Sequence, residues 1–96
     1  IGGGNPGNQP PNADFDVQCT QRNGREGVVH HCTLTSTSTD PNNNIASYAW
    51  TAPNRPNKSG PSVTRIYHKS GSYPNTLTVT DAGGLSDSIT RNIVIP

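Results

Sequence analysis

Asp40, Asn42 and Asp81 are the residues of this chain best suited to chemistry, and the chemistry they suit is calcium ligation. Calcium takes roughly six to eight hard oxygen donors from carboxylates, amide oxygens and carbonyls. Asp40 and Asn42 lie in residues 36–44, STSTDPNNN, a turn-rich stretch with nothing to bury. Asp81 closes an alternating run and leads into Ala82, Gly83 and Gly84, a turn. Each aspartate also has a plainer role, capping its own turn through an Asx hydrogen bond. Carboxylates are few here, so any calcium affinity is expected to be modest.

Other reactive types form weaker patterns. His30 and His31 are adjacent, so on a strand they point to opposite faces and do not share one zinc ion. No motif links His68 to them, and all three read as surface or boundary residues. No nucleophile context such as Gly-x-Ser-x-Gly is present, and no catalytic residue is expected. Trp50, Tyr48, Tyr67 and Tyr73 suggest an aromatic platform for a polysaccharide or a collagen-like chain. The competing reading puts Trp50 in a core, because it sits mid-strand among aliphatic residues. Arg22, Arg25, Arg55, Lys58, Arg65 and Lys69 read as scattered, solvated charges.

These residues need a scaffold, and composition limits what it can be. The chain has 96 residues, only 28% of them hydrophobic, and a formal charge of +1. That length is one small domain with a thin core. Asn, Thr, Ser, Gly and Pro dominate, a mix that favours short strands over helices. The charge, with no basic stripe, argues against nucleic acid as a partner. No apolar run approaches the roughly 20 residues that cross a bilayer, so no membrane association is expected.

Alternation places the strands. Residues 1–11, IGGGNPGNQPP, read as a linker, the kind that joins a module to a longer protein. The domain is then residues 12–96. The first strand falls at 12–20, with Ala13, Phe15, Val17 and Cys19 on one face. The second falls at 28–35, with His30, Cys32 and Leu34 on one parity. Two hairpins can join them. A tight turn at Asn23-Gly24 sets Cys19 opposite Val28, and a four-residue loop over 24–27 sets Cys19 opposite Cys32. The longer loop is preferred, because directly opposed residues lie about 4.5–5.5 Å apart at Cα, within disulfide reach. The disulfide is expected to stabilise by about 3 kcal/mol and implies an oxidising compartment. Further strands fall at 45–51, 61–67 and 86–96, and residues 52–60 read as an irregular loop. In residues 67–81, Tyr73, Asn75, Leu77, Val79 and Asp81 share one parity and threonines take the other. The pattern is an all-β, immunoglobulin-like antiparallel sandwich of about seven short strands.

At this point the residues resemble a known family, the polycystic kidney disease (PKD) domain, across residues 10–95. The resemblance is carried by Pro11-Asn12-Ala13-Asp14-Phe15, by residues 38–43 (STDPNN), and by residues 45–50 (IASYAW). It continues through Tyr67, Gly71, Tyr73, Leu77-Thr78-Val79-Thr80-Asp81 and Gly84. The chain departs from the family where TAPNR replaces a Gly-Asp-Gly turn after Trp50. It departs again where Asn42 and Asn43 replace an acidic residue and a glycine. The resemblance implies a calcium site made by Asn8, Gln9, Asp40, Asn42 and Asp81, tying the linker to the domain. It also implies a secreted bacterial parent, most often an extracellular metalloprotease, then chitinases and other polysaccharide-degrading enzymes. The fragment is then a non-catalytic, calcium-responsive spacer and protein-interaction module whose first partners are adjacent domains of its own chain. The alternative is a substrate-binding module for collagen or chitin, with an extracellular matrix protein or polysaccharide as partner.

Overall fold

The alternating runs become seven strands in the computed structural model, which describes residues 7–25 and 27–96. They are β1 (Phe15–Gly24), β2 (Gly27–Ser36), β3 (Ile45–Thr51), β4 (Lys58–Ser59), β5 (Ser62–Tyr67), β6 (Gly71–Asp81) and β7 (Ser86–Ile95). A three-stranded sheet has the order β1-β2-β5, and a four-stranded sheet has the order β4-β3-β6-β7. Every strand pairing is antiparallel. The two sheets face each other as a β-sandwich.

Period-two side chains fill the space between them. Phe15, Leu34, Val63 and Tyr67 point in from one sheet; Trp50, Leu77, Val79, Ile93 and Ile95 point in from the other. Phe15 meets Trp50 edge-to-face, with centroids 5.1 Å apart, a favoured aromatic geometry. The indole N–H donates to the Gly60 carbonyl at 2.7 Å, so burying the ring leaves no polar atom unpaired.

The β1–β2 pairing sets Cys19 opposite Cys32, and the two form a disulfide. That is the register of the longer loop, although the ladder runs on to Gly24 opposite Gly27, tighter than a four-residue loop. Residues 12–14 were expected in the first strand but precede it; there Asn12 forms an isolated bridge with Thr39. Residues 52–60 are not wholly irregular, because Lys58 and Ser59 pair with β3 as an edge strand. Of the linker expected over 1–11, residues 1–6 lie outside the described residues, and Pro11 is buried.

Arg65 corrects the expectation that the basic residues are solvated. It is 2% exposed and points between the sheets with Val63 and Tyr67. Its Nε donates to Asn75 Oδ1 at 3.0 Å, and Nη1 donates to the Pro56 carbonyl at 2.6 Å. Asn75, fully buried on β6, donates in turn to the Tyr67 hydroxyl at 2.9 Å. A polar clasp thus joins β5 of one sheet to β6 of the other. Buried polar groups persist where they are hydrogen-bonded in this way.

Candidate functional site

Asp81 ends β6, where β3 carries a bulge. Ile45 pairs with Asp81 but Ser47 pairs with Thr80, so Ala46 is the extra residue. A bulge bends its strand and redirects side chains, and here it brings the segment before β3 up to the turn after β6. The Ala82 N–H donates to the Asn44 carbonyl at 2.9 Å.

The two oxygens of Asp81 do different things. Oδ1 accepts from the Gly83 and Leu85 N–H groups, both at 2.9 Å, and so caps the turn. Oδ2 faces residue 8 and accepts from Asn8 Nδ2 at 2.8 Å. Asp81 is 2% exposed. Gly83 leaves room beside it, because a Cβ there would push the Asn8 amide aside.

The 40–44 loop supplies the other side. Asp40 Oδ1 accepts from the Asn42 N–H at 2.7 Å, an Asx turn. Asn43 takes φ +55°, the left-handed conformation that suits a glycine, and asparagine tolerates it better than most residues. Asn42 brackets the linker: its Oδ1 accepts from the Gln9 N–H at 2.7 Å, and its Nδ2 donates to the Gly7 carbonyl at 3.4 Å. Hydrogen bonds thus join the 8–9 segment to Asn42 and Asp81, with Gln9 entering through its backbone N–H, a donor and not a cation ligand.

Asn44 completes the arrangement and was not singled out in the sequence. Its Nδ2 donates to Asn8 Oδ1 at 3.0 Å. Its own oxygen then lies 3.0 and 3.3 Å from the two carboxylate oxygens of Asp40. The run Asp40–Asn44–Asn8–Asp81 has an acceptor-only carboxylate at each end and two amides between. Each amide offers nitrogen one way and oxygen the other. Turning the Asn44 amide end for end moves the oxygen–oxygen contact to Asn8, and turning Asn8 as well moves it to Asp81. No orientation of the two amides removes it. One hydrogen-bond donor or cation from outside the set is needed. The donors are all hard oxygens, and two oxygens held by one calcium at about 2.4 Å stand about 3 Å apart. Such hard oxygens are the kind of donor that calcium takes.

The entry into β1 is held separately. The Ala13 N–H donates to Asp87 Oδ2 at 2.8 Å, and the Asp14 N–H donates to Ser38 Oγ at 3.1 Å. The Asp14 carboxylate forms an ion pair with Arg91. The Arg91 hydrogen bond, then the Phe15 N–H, holds its pKa below the ordinary 3.8.

The aromatic platform does not form as expected. Trp50 and Tyr67 are fully buried, while Tyr48 and Tyr73 are half-buried and pack against the core. Tyr73 stacks on Tyr67 with centroids 4.3 Å apart, and the Arg55 guanidinium lies 4.3 Å over the Tyr67 ring. Tyr73 instead shares a cleft of about 410 Å³ with Pro53, Arg55 and Pro74. His30, expected at the surface or its boundary, is buried at 9% exposure. Among the described residues no group of three or more His, Cys, Asp or Glu forms a metal cluster.

Comparison with known proteins bears on the family and the fold. The sequence profile described as "PKD domain" matches residues 8–95. The pre-pro-metalloprotease PrtV of Vibrio cholerae serotype O1 is 42% identical over 60 residues, 62% of this chain and 6% of that protein. The chain thus spans a small fraction of that relative's length. The crystal structure of the PKD1 domain of V. cholerae PrtV superposes with a TM-score of 0.74 at 32% identity, covering 91% of this chain and 98% of that one. The PKD1 domain of Vibrio anguillarum Epp gives 0.75 at 28% identity, covering 92% and 95%. A structure of carbohydrate-binding modules from the β-sandwich superfamily gives 0.73 at 28% identity, covering 93% of this chain and 35% of that one.

Proposed function

The chain belongs to the PKD domain family, and from that premise we propose that it is a non-catalytic accessory module of a secreted metalloprotease, with a linker that calcium locks to the sandwich. One observation carries this reading: the oxygen–oxygen contact left in the run from Asp40 through Asn44 and Asn8 to Asp81. Asp40, Asp81 and the amide oxygens of Asn44 and Asn8 would hold the ion, with Asn42 bracketing the linker beside them. Calcium supplies the positive charge that lets these oxygens face one point. The likeness to PrtV supports the metalloprotease parent. The disulfide supports an oxidising, extracellular setting. Adjacent domains of the parent are the first partners, because the segment being locked is the one that leads out of the sandwich.

Titration calorimetry with calcium tests the site. Limited proteolysis with and without a chelator tests the linker. Saturable heat and faster cleavage within residues 1–11 after chelation are the expected results. No heat and no thermal shift at millimolar calcium would overturn the calcium role and leave the family assignment intact.

A second reading, a substrate-binding module for collagen or chitin, is favoured by the cleft at Pro53, Arg55, Tyr73 and Pro74 and by the likeness to carbohydrate-binding modules. A pull-down on insoluble collagen and chitin, lost on Tyr73→Ala with folding retained, supports that role. Trp50 is too deeply buried to serve as the probe residue.

A further inference from the structure

Arg65 holds more hydrogen-bonding capacity than the clasp uses. A guanidinium carries five N–H donors. Nε and Nη1 are engaged by Asn75 and Pro56. Nη2 is buried and has no partner. An unsatisfied buried donor is costly, and more so when charged. Burial holds the Arg65 pKa below the ordinary arginine value; nearby Tyr67 opposes this, and nearby Arg55 adds to it.

The surroundings are cationic. Arg65 lines a cleft of about 190 Å³ with Arg55, Pro56, Lys58, Thr64 and Ile66. Arg55 is fixed there by its Nη1 donating to the Ile66 carbonyl at 2.6 Å and by its position over Tyr67. Lys58 is exposed on the short edge strand β4. The ion pair formed among the described residues, Asp14 with Arg91, involves none of these three cations. Three positive groups therefore share a small cleft without a counter-ion, and one of them has a buried donor to spare.

We propose that this cleft between residues 55–58 and β5 is an oxyanion site that takes a single carboxylate from an acidic peptide segment, such as one in a neighbouring domain. Lys58 and the Arg55 guanidinium donate to the carboxylate, and the buried Arg65 guanidinium adds positive charge behind them. Guanidinium–carboxylate pairing is among the stronger charge-assisted contacts. The cleft suits one carboxylate and its adjoining methylenes better than a run of sugar rings. It lies on the β4–β5 side, apart from the Asp40–Asp81 cluster.

The test is a ¹H–¹⁵N NMR titration of the chain with N-acetyl-glutamate, with N-acetyl-glutamine and galacturonate in parallel arms. Saturable shifts confined to residues 55–58 and 64–66 with the glutamate derivative, and none with the glutamine derivative, are expected. Lys58→Gln is expected to weaken the apparent affinity about three- to fivefold, and Arg65→Gln to weaken it as well, with chemical-shift dispersion retained. If Arg65→Gln fails to fold, the exposed Lys58→Gln variant decides. Equal responses to the glutamate and glutamine derivatives, or no saturable shift up to about 50 mM, would overturn the site. Tighter binding of galacturonate would overturn its assignment to a peptide carboxylate.

Discussion

Asn8 donates to Asp81 Oδ2 at 2.8 Å across 73 positions of sequence, so the segment before β1 is fastened to the turn after β6. The other Asp81 oxygen caps that turn through Gly83 and Leu85. One carboxylate therefore serves both the fold and the candidate site, and two substitutions separate the roles. Asp81→Asn keeps an oxygen for the cap and replaces the terminal acceptor of the run with a donor. The amides of Asn8 and Asn44 can then turn so that every contact is a hydrogen bond. Calcium affinity is expected to fall at least about tenfold through loss of a charged ligand. Protection of the linker from proteolysis is expected to persist in chelator. Asp81→Ala instead leaves two N–H groups uncapped and is expected to cost about 2–3 kcal/mol in urea denaturation without calcium. A calcium affinity unchanged by Asp81→Asn would show that Asp81 acts only as a turn cap.

The strands and the register of the first hairpin were legible because they rest on local patterns. Alternation marked β6 and β3, and the spacing of Cys19 and Cys32 chose between two hairpin turns. The aspartates of the site were legible for the same reason, since each begins or ends a turn. Asn44 was not, because its role depends on the Ala46 bulge that presses the 40–44 loop against Asp81. Arg65 was not, because an arginine on an inward parity looks solvated until Asn75 on the opposite sheet and the Pro56 carbonyl are seen to receive it. β4 was missed because two residues carry no periodicity.

Asn44→Asp reverses the balance that Asp81→Asn removes. It sets a second carboxylate against Asp40, where an amide oxygen already stands 3.0 Å away. Without calcium, like charges repel, and a loss of about 0.5–1 kcal/mol is expected. With calcium, the added charge is expected to raise affinity about tenfold. Calorimetry and thermal melts in calcium and in chelator should therefore move in opposite directions. A variant less stable in both conditions would place the ion elsewhere.

The disulfide closes a separation of 13 residues in the hairpin, with Cys32 buried and Cys19 exposed. Reduction is expected to lower stability by about 3 kcal/mol on the chain-entropy estimate. Cys19→Ser with Cys32→Ala should match the reduced protein in denaturant midpoint, since only the buried position needs an apolar replacement. A serine at position 32 should cost more, because its hydroxyl would be buried in the apolar core.

Trp50 is the largest fully buried side chain of a thin core. Trp50→Ala is expected to cost about 3–5 kcal/mol, a large share of the roughly 5–15 kcal/mol that holds a domain together. Trp50→Phe keeps most of the contact with Phe15 but loses the indole N–H donated to Gly60, at an expected cost of about 1–2 kcal/mol. Denaturant melts followed by circular dichroism measure both. A native-like midpoint for Trp50→Ala would mean that the ring contributes little to the core.

The Asp14–Arg91 pair ties the start of β1 to β7, and its pH dependence has a definite sign. The folded-state pKa of Asp14 is held below 3.8 by Arg91 first and the Phe15 N–H second. A depressed carboxylate pKa means that the unfolded chain binds the proton more readily. The contribution to stability is then fully present above the unfolded value and is lost as pH falls from about that value through the folded one. Asp14→Asn removes this dependence and should flatten the acid limb of the melting-temperature curve below about pH 4. The pair is exposed and salt-screened, so the wild-type acid limb should move toward that of the variant as salt is raised. An acid limb unchanged by either treatment would assign the acid sensitivity to other carboxylates.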